Sequence, residues 1–200
     1  MRVSEAIISR RSLRRFAARP VPETVLRELI ELACAAPAPH HTRPWRFTLV
    51  GGESRPRLAK AMTDAWRVDL EADGAAPERI EELVQRSQRR LLSAPALLLA
   101  GLDLGGARRW PDGRRELAER DMFVQSLGAA LQNLALAAHE RGLSCCVLGS
   151  PLFCQNAVRQ ALRLAPEVEP LFLVLLGYPP EGYQPAPRPA IRPQDFLAEH

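Results

Sequence analysis

The sequence predicts a layered domain of mixed α/β or α+β class, and three observations carry that expectation. Four short apolar runs, at 45–50, 95–102, 143–148 and 171–176, have strand length and alternate with charged stretches of helical period. One long segment, 115–141, is apolar nearly all round between Phe123 and Ala138, so it belongs inside a layer or against a second copy. The chain has 200 residues, 46% of them hydrophobic, enough for a single domain spanning 1–200 with a sizeable core.

Taken in order, 3–10 reads as a short amphipathic helix with Ala6 and Ile7 inward. Pro22 suits the first position of a second helix reaching residue 36, with Val25, Leu29 and Leu32 on one face. Residues 37–44 hold three prolines and must be irregular. From 45 to 50, Trp45, Phe47 and Leu49 alternate with Arg46 and Thr48, the pattern of a half-buried strand. Helical patterns at 55–70 and 77–92 are broken by Asp73-Gly74. The run 95–102 is apolar throughout, as in a strand covered on both faces. A glycine- and arginine-bearing loop, 105–111, precedes the long helix, which Gly142 caps. A helix at 155–164 separates the last two strands, and the proline-rich tail 179–200 has no core of its own.

Composition excludes several classes. No stretch of about 18 apolar residues exists, so no membrane span is expected, and no apolar leader follows the N-terminus. The net charge of +4 spreads over 27 basic and 23 acidic residues, with aromatics at 6%, which argues against a nucleic-acid-binding stripe. Cys34, Cys145, Cys146 and Cys154 form no C-x-x-C pair and lack zinc-ligand spacing. They read as buried reduced thiols of a cytoplasmic protein, with no metal site. Glycine fingerprints of a Rossmann site, a Walker A loop and a nucleophile elbow are all missing.

The chemistry concentrates in Arg10-Arg11-Ser12-Leu13-Arg14-Arg15-Phe16, where guanidinium forks surround one hydroxyl. Each charge-assisted contact to a phosphate is worth roughly 1.5–3 kcal/mol, so this is a candidate anion site. A second stretch, Ala36-Pro37-Ala38-Pro39-His40-His41-Thr42-Arg43-Pro44-Trp45, follows the second helix. A third combines Asp121, Gln132, Asn133 and His139 with Gly142, Gly149 and Ser150. In this order, these motifs resemble those of the nitroreductase-like FMN flavoproteins over almost the whole chain. Within that family the nearest likeness is to the FMN-binding C-terminal domain of the mycobacterial bifunctional protein of coenzyme F(420) biosynthesis. The Pro-His-His-Thr-Arg-Pro string carries that finer likeness. Common nitroreductases have serine, asparagine and glutamine there, where this chain has Ala38, His41 and Arg43.

The resemblance implies an α+β fold with a central mixed sheet of four own strands, an intertwined homodimer, and FMN in clefts at the interface. The tail from 179 would cross to the partner. Matching positions imply that Arg10, Arg11, Ser12 and Arg14 bind FMN, with Arg188 completing the phosphate site and Arg192 its rival. Leu148, Gly149 and Ser150 would lie beside the flavin ring, and Ala38, Pro39 and His41 would reach it from the other subunit. His40, His41 and Arg43 are the expected catalytic residues, holding an anionic substrate or lending a proton. The expected reaction is reduction of the enolpyruvyl-derived double bond of the deazaflavin precursor dehydro-F(420)-0 by hydride transfer from reduced FMN, with the electron donor left open between NADH, NADPH and another reductant. The alternatives are a broad NAD(P)H-dependent nitroreductase or quinone reductase and, in another class, a non-catalytic flavin- or nucleic-acid-binding domain. Arg46, Arg108 and Arg109 are further candidates to hold substrate anions.

Overall fold

In the computed structural model, which describes residues 1–198, a four-stranded sheet lies between two helical layers. The strands are β1 (Trp45–Leu49), β2 (Ala96–Asp103), β3 (Ser144–Leu148) and β4 (Val168–Gly177), in the order β1-β2-β4-β3. All three pairings are antiparallel, so the four-strand sheet is antiparallel rather than mixed. A single parallel bridge, Ser12 to Cys145, lays the N-terminal loop along the outer edge of β3. The helices are α1 (Val3–Ser9), α2 (Glu23–Ala33), α3 (Ser54–Ala72), α4 (Pro77–Ser93), α5 (Gly113–Glu140) and α6 (Gln155–Leu162).

β2 shows why the molecule has two cores. Leu98, Ala100 and Leu102 face the layer of α2 and α5, while Leu97 and Leu99 face the layer built from α3, α4 and α6. Both faces being apolar, the strand reads as one unbroken hydrophobic run. Gly101 sits at a bulge, where the register skips Leu171 of β4. A Cβ at Gly101 would come within 2.5 Å of the Glu169 carbonyl oxygen, so close strand approach demands glycine there.

Three local expectations need correction. Ile7 is 48% exposed and only Ala6 of α1 is buried. In α2 the buried face is Leu26, Leu29 and Ala33, with Leu32 outside. Leu49, at the C-terminal end of the edge strand β1, is 51% exposed. The long helix also differs from its sequence pattern. Asp121, Met122, Gln125, Gly128 and Gln132 form an exposed stripe at helical spacing along α5, so one face of the molecule's central helix is uncovered in the single chain.

Candidate functional site

The loop 10–14 owes its shape to β3. Leu13 is buried and donates its backbone N–H to the Cys145 carbonyl at 3.3 Å, which fixes an extended stretch beside the strand. In extended chain alternate residues share a side, so Arg10, Ser12 and Arg14 project away from buried Leu13. The Arg10 Nη1 donates to Ser12 Oγ at 3.4 Å. Arg188, reaching in from the tail, donates from Nη2 to the Arg10 carbonyl at 2.6 Å. Among the described residues no carboxylate lies within ion-pair distance of Arg10, Arg14 or Arg188.

Arg11 has a different task. Its Nη1 donates to the carbonyls of Ile8, Ser9 and Arg10, the orphan acceptors at the end of α1. Its Nε and Nη2 donate to the Ala186 carbonyl, stapling the tail to the loop. With its guanidinium spent on backbone, Arg11 shapes the cluster rather than facing outward with it. Arg192 pairs with Asp195 inside the tail, so of the two tail arginines it is Arg188 that meets the loop.

The positive field of this edge acts on its neighbours. His139 is held below its ordinary value by burial first, then by Arg10 and Arg11. Burial pushes the Cys145 thiol up to about 11, against the pull of Arg10. Burial also raises the Cys146 thiol, opposed by Arg14, Arg90 and Arg10, which places α4's Arg90 in the same cationic neighbourhood. Cys34 and Cys154 are raised by burial too, so none of the four thiols is primed as a nucleophile.

Beyond the end of β3 opens a cleft of about 610 Å³. Leu148, Gly149 and Ser150 form its floor, and Trp66, Arg90 and Phe153 stand among its walls. Phe153 is 84% exposed, an unusual placement for a large aromatic ring. Gly149 has an ordinary φ of −85°, and a Cβ there would meet only Leu152 and Phe172 at 3.5 Å and 3.8 Å. Neither the conformation nor the packing requires glycine there, and its backbone is part of the cleft lining. Gly149 lies four residues past Cys145, where Ser12 bridges β3, about 13 Å along the strand direction.

The loop 38–43 is built on another edge. Pro39–His41 makes a 3-10 turn in which His40 and His41 take left-handed φ values of 54° and 53°. For residues with a Cβ this costs about 1–2 kcal/mol each, and surrounding contacts must hold it. Thr42 helps by donating its Oγ1 hydroxyl and its N–H to the Pro39 carbonyl. The main anchor is Glu119 on α5, which is only 3% exposed. Its Oε1 takes His40 Nε2 at 2.7 Å and the Arg108 N–H at 3.0 Å; its Oε2 takes Trp110 Nε1 at 3.3 Å. The Arg108 N–H foremost, then the His40 and Trp110 bonds, hold this carboxyl below its usual range against the opposing effect of burial. An ionised carboxylate only accepts, so the His40 proton resides on Nε2 and Nδ1 faces the other way. His41 and Arg43 are exposed, while Arg46 is tied to Asp103 at 2.7 Å.

The chain therefore brings together Arg10, Ser12, Arg14, Arg188 and the cleft floor, and keeps Ala38–Arg43 apart from them. β1 and β3 are opposite edges of the sheet, three strand spacings or about 14 Å from each other. Sequence reasoning overlooked Glu119, Trp66, Arg90 and Phe153. For Glu119 a signal existed: it shares the spacing of Phe123, Ser126, Leu127 and Ala130, a carboxylate on the buried stripe of α5.

Known proteins resemble this chain in sequence and in fold. The NADH dehydrogenase of Thermus thermophilus is 31% identical over 206 aligned positions, covering 92% of this chain and 89% of that protein. The chloronitrobenzene nitroreductase of Comamonas testosteroni is 30% identical over 185 positions, covering 81% of this chain and 80% of the relative. The crystal structure of the FMN-dependent nitroreductase NfnB from Mycobacterium smegmatis, in complex with NADPH, superposes with a TM-score of 0.72 at 22% identity, covering 98% and 97% of the two chains. The sequence profile of the nitroreductase family matches residues 7–178, so a layered antiparallel sheet edged by an arginine-serine loop is here the framework of a chain that belongs to that family.

Proposed function

We propose that this chain is an FMN-dependent oxidoreductase that draws electrons from NAD(P)H and reduces nitroaromatic or quinone acceptors. The observation that carries the reading is the set Arg10, Ser12, Arg14 and Arg188, free of carboxylate partners among the described residues and lying along β3, the strand whose end leads into the cleft. That donor set fits FMN. A phosphate monoester bears close to two negative charges, which guanidinium forks and a hydroxyl match. The cleft offers a ring system the apolar surfaces of Trp66, Leu148 and Phe153 and the backbone of Gly149, with Asp69, Asp73, Arg86 and Arg90 as its charged lining. When bound, FMN supplies two-electron redox chemistry that no amino-acid side chain offers.

The chain's own residues do the rest. Arg10, Arg14 and Arg188 hold the phosphate, and Leu148–Ser150 orient the ring and exclude water from one of its faces. The functional unit in this reading is a homodimer. Its second copy covers the exposed α5 stripe and brings the 38–43 loop to the cleft, where Glu119 holds the His40 proton on Nε2. The net two-electron reaction with a nitroaromatic consumes NAD(P)H, the nitro compound and one proton, and yields NAD(P)+, the nitroso compound and water.

Two findings favour this broad reading over reduction of dehydro-F(420)-0. The named activities of the curated relatives are dehydrogenase and nitroreductase, and His40 is turned inward onto Glu119 instead of outward toward a substrate. Purified protein loaded with FMN should oxidise NADPH or NADH with a nitroaromatic acceptor. Turnover of dehydro-F(420)-0 with inert nitroaromatics and quinones would overturn the broad reading.

A further inference from the structure

Two loops that sequence keeps far apart, 38–43 and 104–110, are gathered onto one buried carboxylate. His40 and the Arg108 N–H share the same Glu119 oxygen, and Trp110 takes the other. The loops also touch, since a Cβ on Gly106 would fall 2.9 Å from the Thr42 methyl. On these two joined loops Arg43, Arg108 and Arg109 are all exposed. None of the three has a carboxylate within ion-pair distance among the described residues. The nearby acids are engaged elsewhere: Asp103 with Arg46 and the Gly105 N–H, Asp112 with Arg115, and Glu116 with the Trp110 N–H.

The Glu119 network ties the loops together through His40, Trp110 and the Arg108 backbone, while the guanidiniums of Arg43, Arg108 and Arg109 have no hydrogen-bond or ion-pair partner among the described residues and are left facing solvent. The geometry points to an anion-recognition rim: Glu119 positions Arg43, Arg108 and Arg109 so that acceptors bearing a carboxylate are favoured over neutral ones of the same shape. This rests on the proposed oxidoreductase and on its dimer, in which the rim of one copy stands at the mouth of the other's cleft. Glu119 is a positioning residue in this scheme, acting through the loops it gathers. The rim acts over exposed, salt-screened distances, so its effect is on selection and capture rather than on the redox step.

The test compares kcat/KM for 4-nitrobenzoate and its neutral counterpart 4-nitrobenzamide, using the full-length FMN-loaded protein with a fixed nicotinamide donor. In the Arg108→Ala/Arg109→Ala double variant the benzoate-to-benzamide ratio should fall by about tenfold from the wild-type value. Raising the salt from 20 mM to 500 mM should shrink the wild-type ratio and leave that of the variant nearly flat. Glu119→Gln should lower the ratio in the same direction, through the KM for the benzoate. An unchanged ratio in the double variant overturns the rim. So does a variant whose NADPH-to-NADH preference changes in place of its acceptor preference, since the cations would then serve the donor. Protein that holds FMN and reduces both acceptors without regard to charge overturns the rim alone; protein that takes up no FMN overturns the proposed function as well.

Discussion

Arg14 and Arg11 stand three residues apart in one loop and do different things, and only the structure separates them. Arg11 is consumed by the carbonyls at the end of α1 and by Ala186, whereas Arg14 keeps its charge for the edge of β3. Arg14→Ala should therefore weaken FMN retention by about ten- to a hundredfold, the loss of one charge-assisted contact, as read by equilibrium dialysis or fluorescence titration. His139 offers a second residue-level prediction. Its folded value is depressed by burial and by Arg10 and Arg11, so the unfolded chain binds the proton first as pH falls. The resulting stability is present above about pH 6.5 and is lost on acidification. The Tm of the wild-type protein should drop between about pH 7.5 and 5.5, and His139→Gln should flatten that drop; parallel curves would contradict the assignment. Carboxyls held low, such as Glu119, Asp103 and Glu169, add their own losses at lower pH.

At the scale of elements, periodicity located the six α-helices and four strands among the described residues but not the 3-10 turns, because apolar runs and capping signals are local properties of the chain. The continuous run at 95–102 announced a strand covered on both faces, and β2 divides its residues between two cores. What the pattern did not reveal was pairing. That the strands run antiparallel, in the order β1-β2-β4-β3, depends on contacts between segments distant in sequence. The same limit hid the site: Glu119 lies 79 residues from His40, and nothing local to either announces their bond. By contrast, the arginine-serine loop was legible because its chemistry is contiguous. Two element-level predictions follow from packing. Gly101→Ala should destabilise the fold by at least about 1–3 kcal/mol in denaturant titration, since its Cβ would collide with backbone that cannot yield. Gly128 lies on the exposed α5 stripe with open space around it, so Gly128→Arg fits the isolated chain. If that stripe is the dimer seam, the variant should be monomeric by light scattering, folded by circular dichroism, and depleted of flavin.

For the molecule as a whole, the proposed dimer would draw one site from two edges of the sheet. The cation cluster and cleft belong to the β3 side; the His40–Glu119 loop belongs to the β1 side, about 14 Å across. A single copy keeps the two clusters apart, and the tail adds Arg188 to the first. The central claim is that the first cluster holds a phosphorylated flavin. The most direct measurement is titration of flavin-stripped protein with FMN, followed by visible absorbance and quenching of flavin fluorescence. The account predicts saturable uptake of one FMN per chain, with binding weakened by Arg14→Ala and by inorganic phosphate in competition. A folded protein that stays colourless in excess FMN and leaves flavin fluorescence unquenched would contradict it.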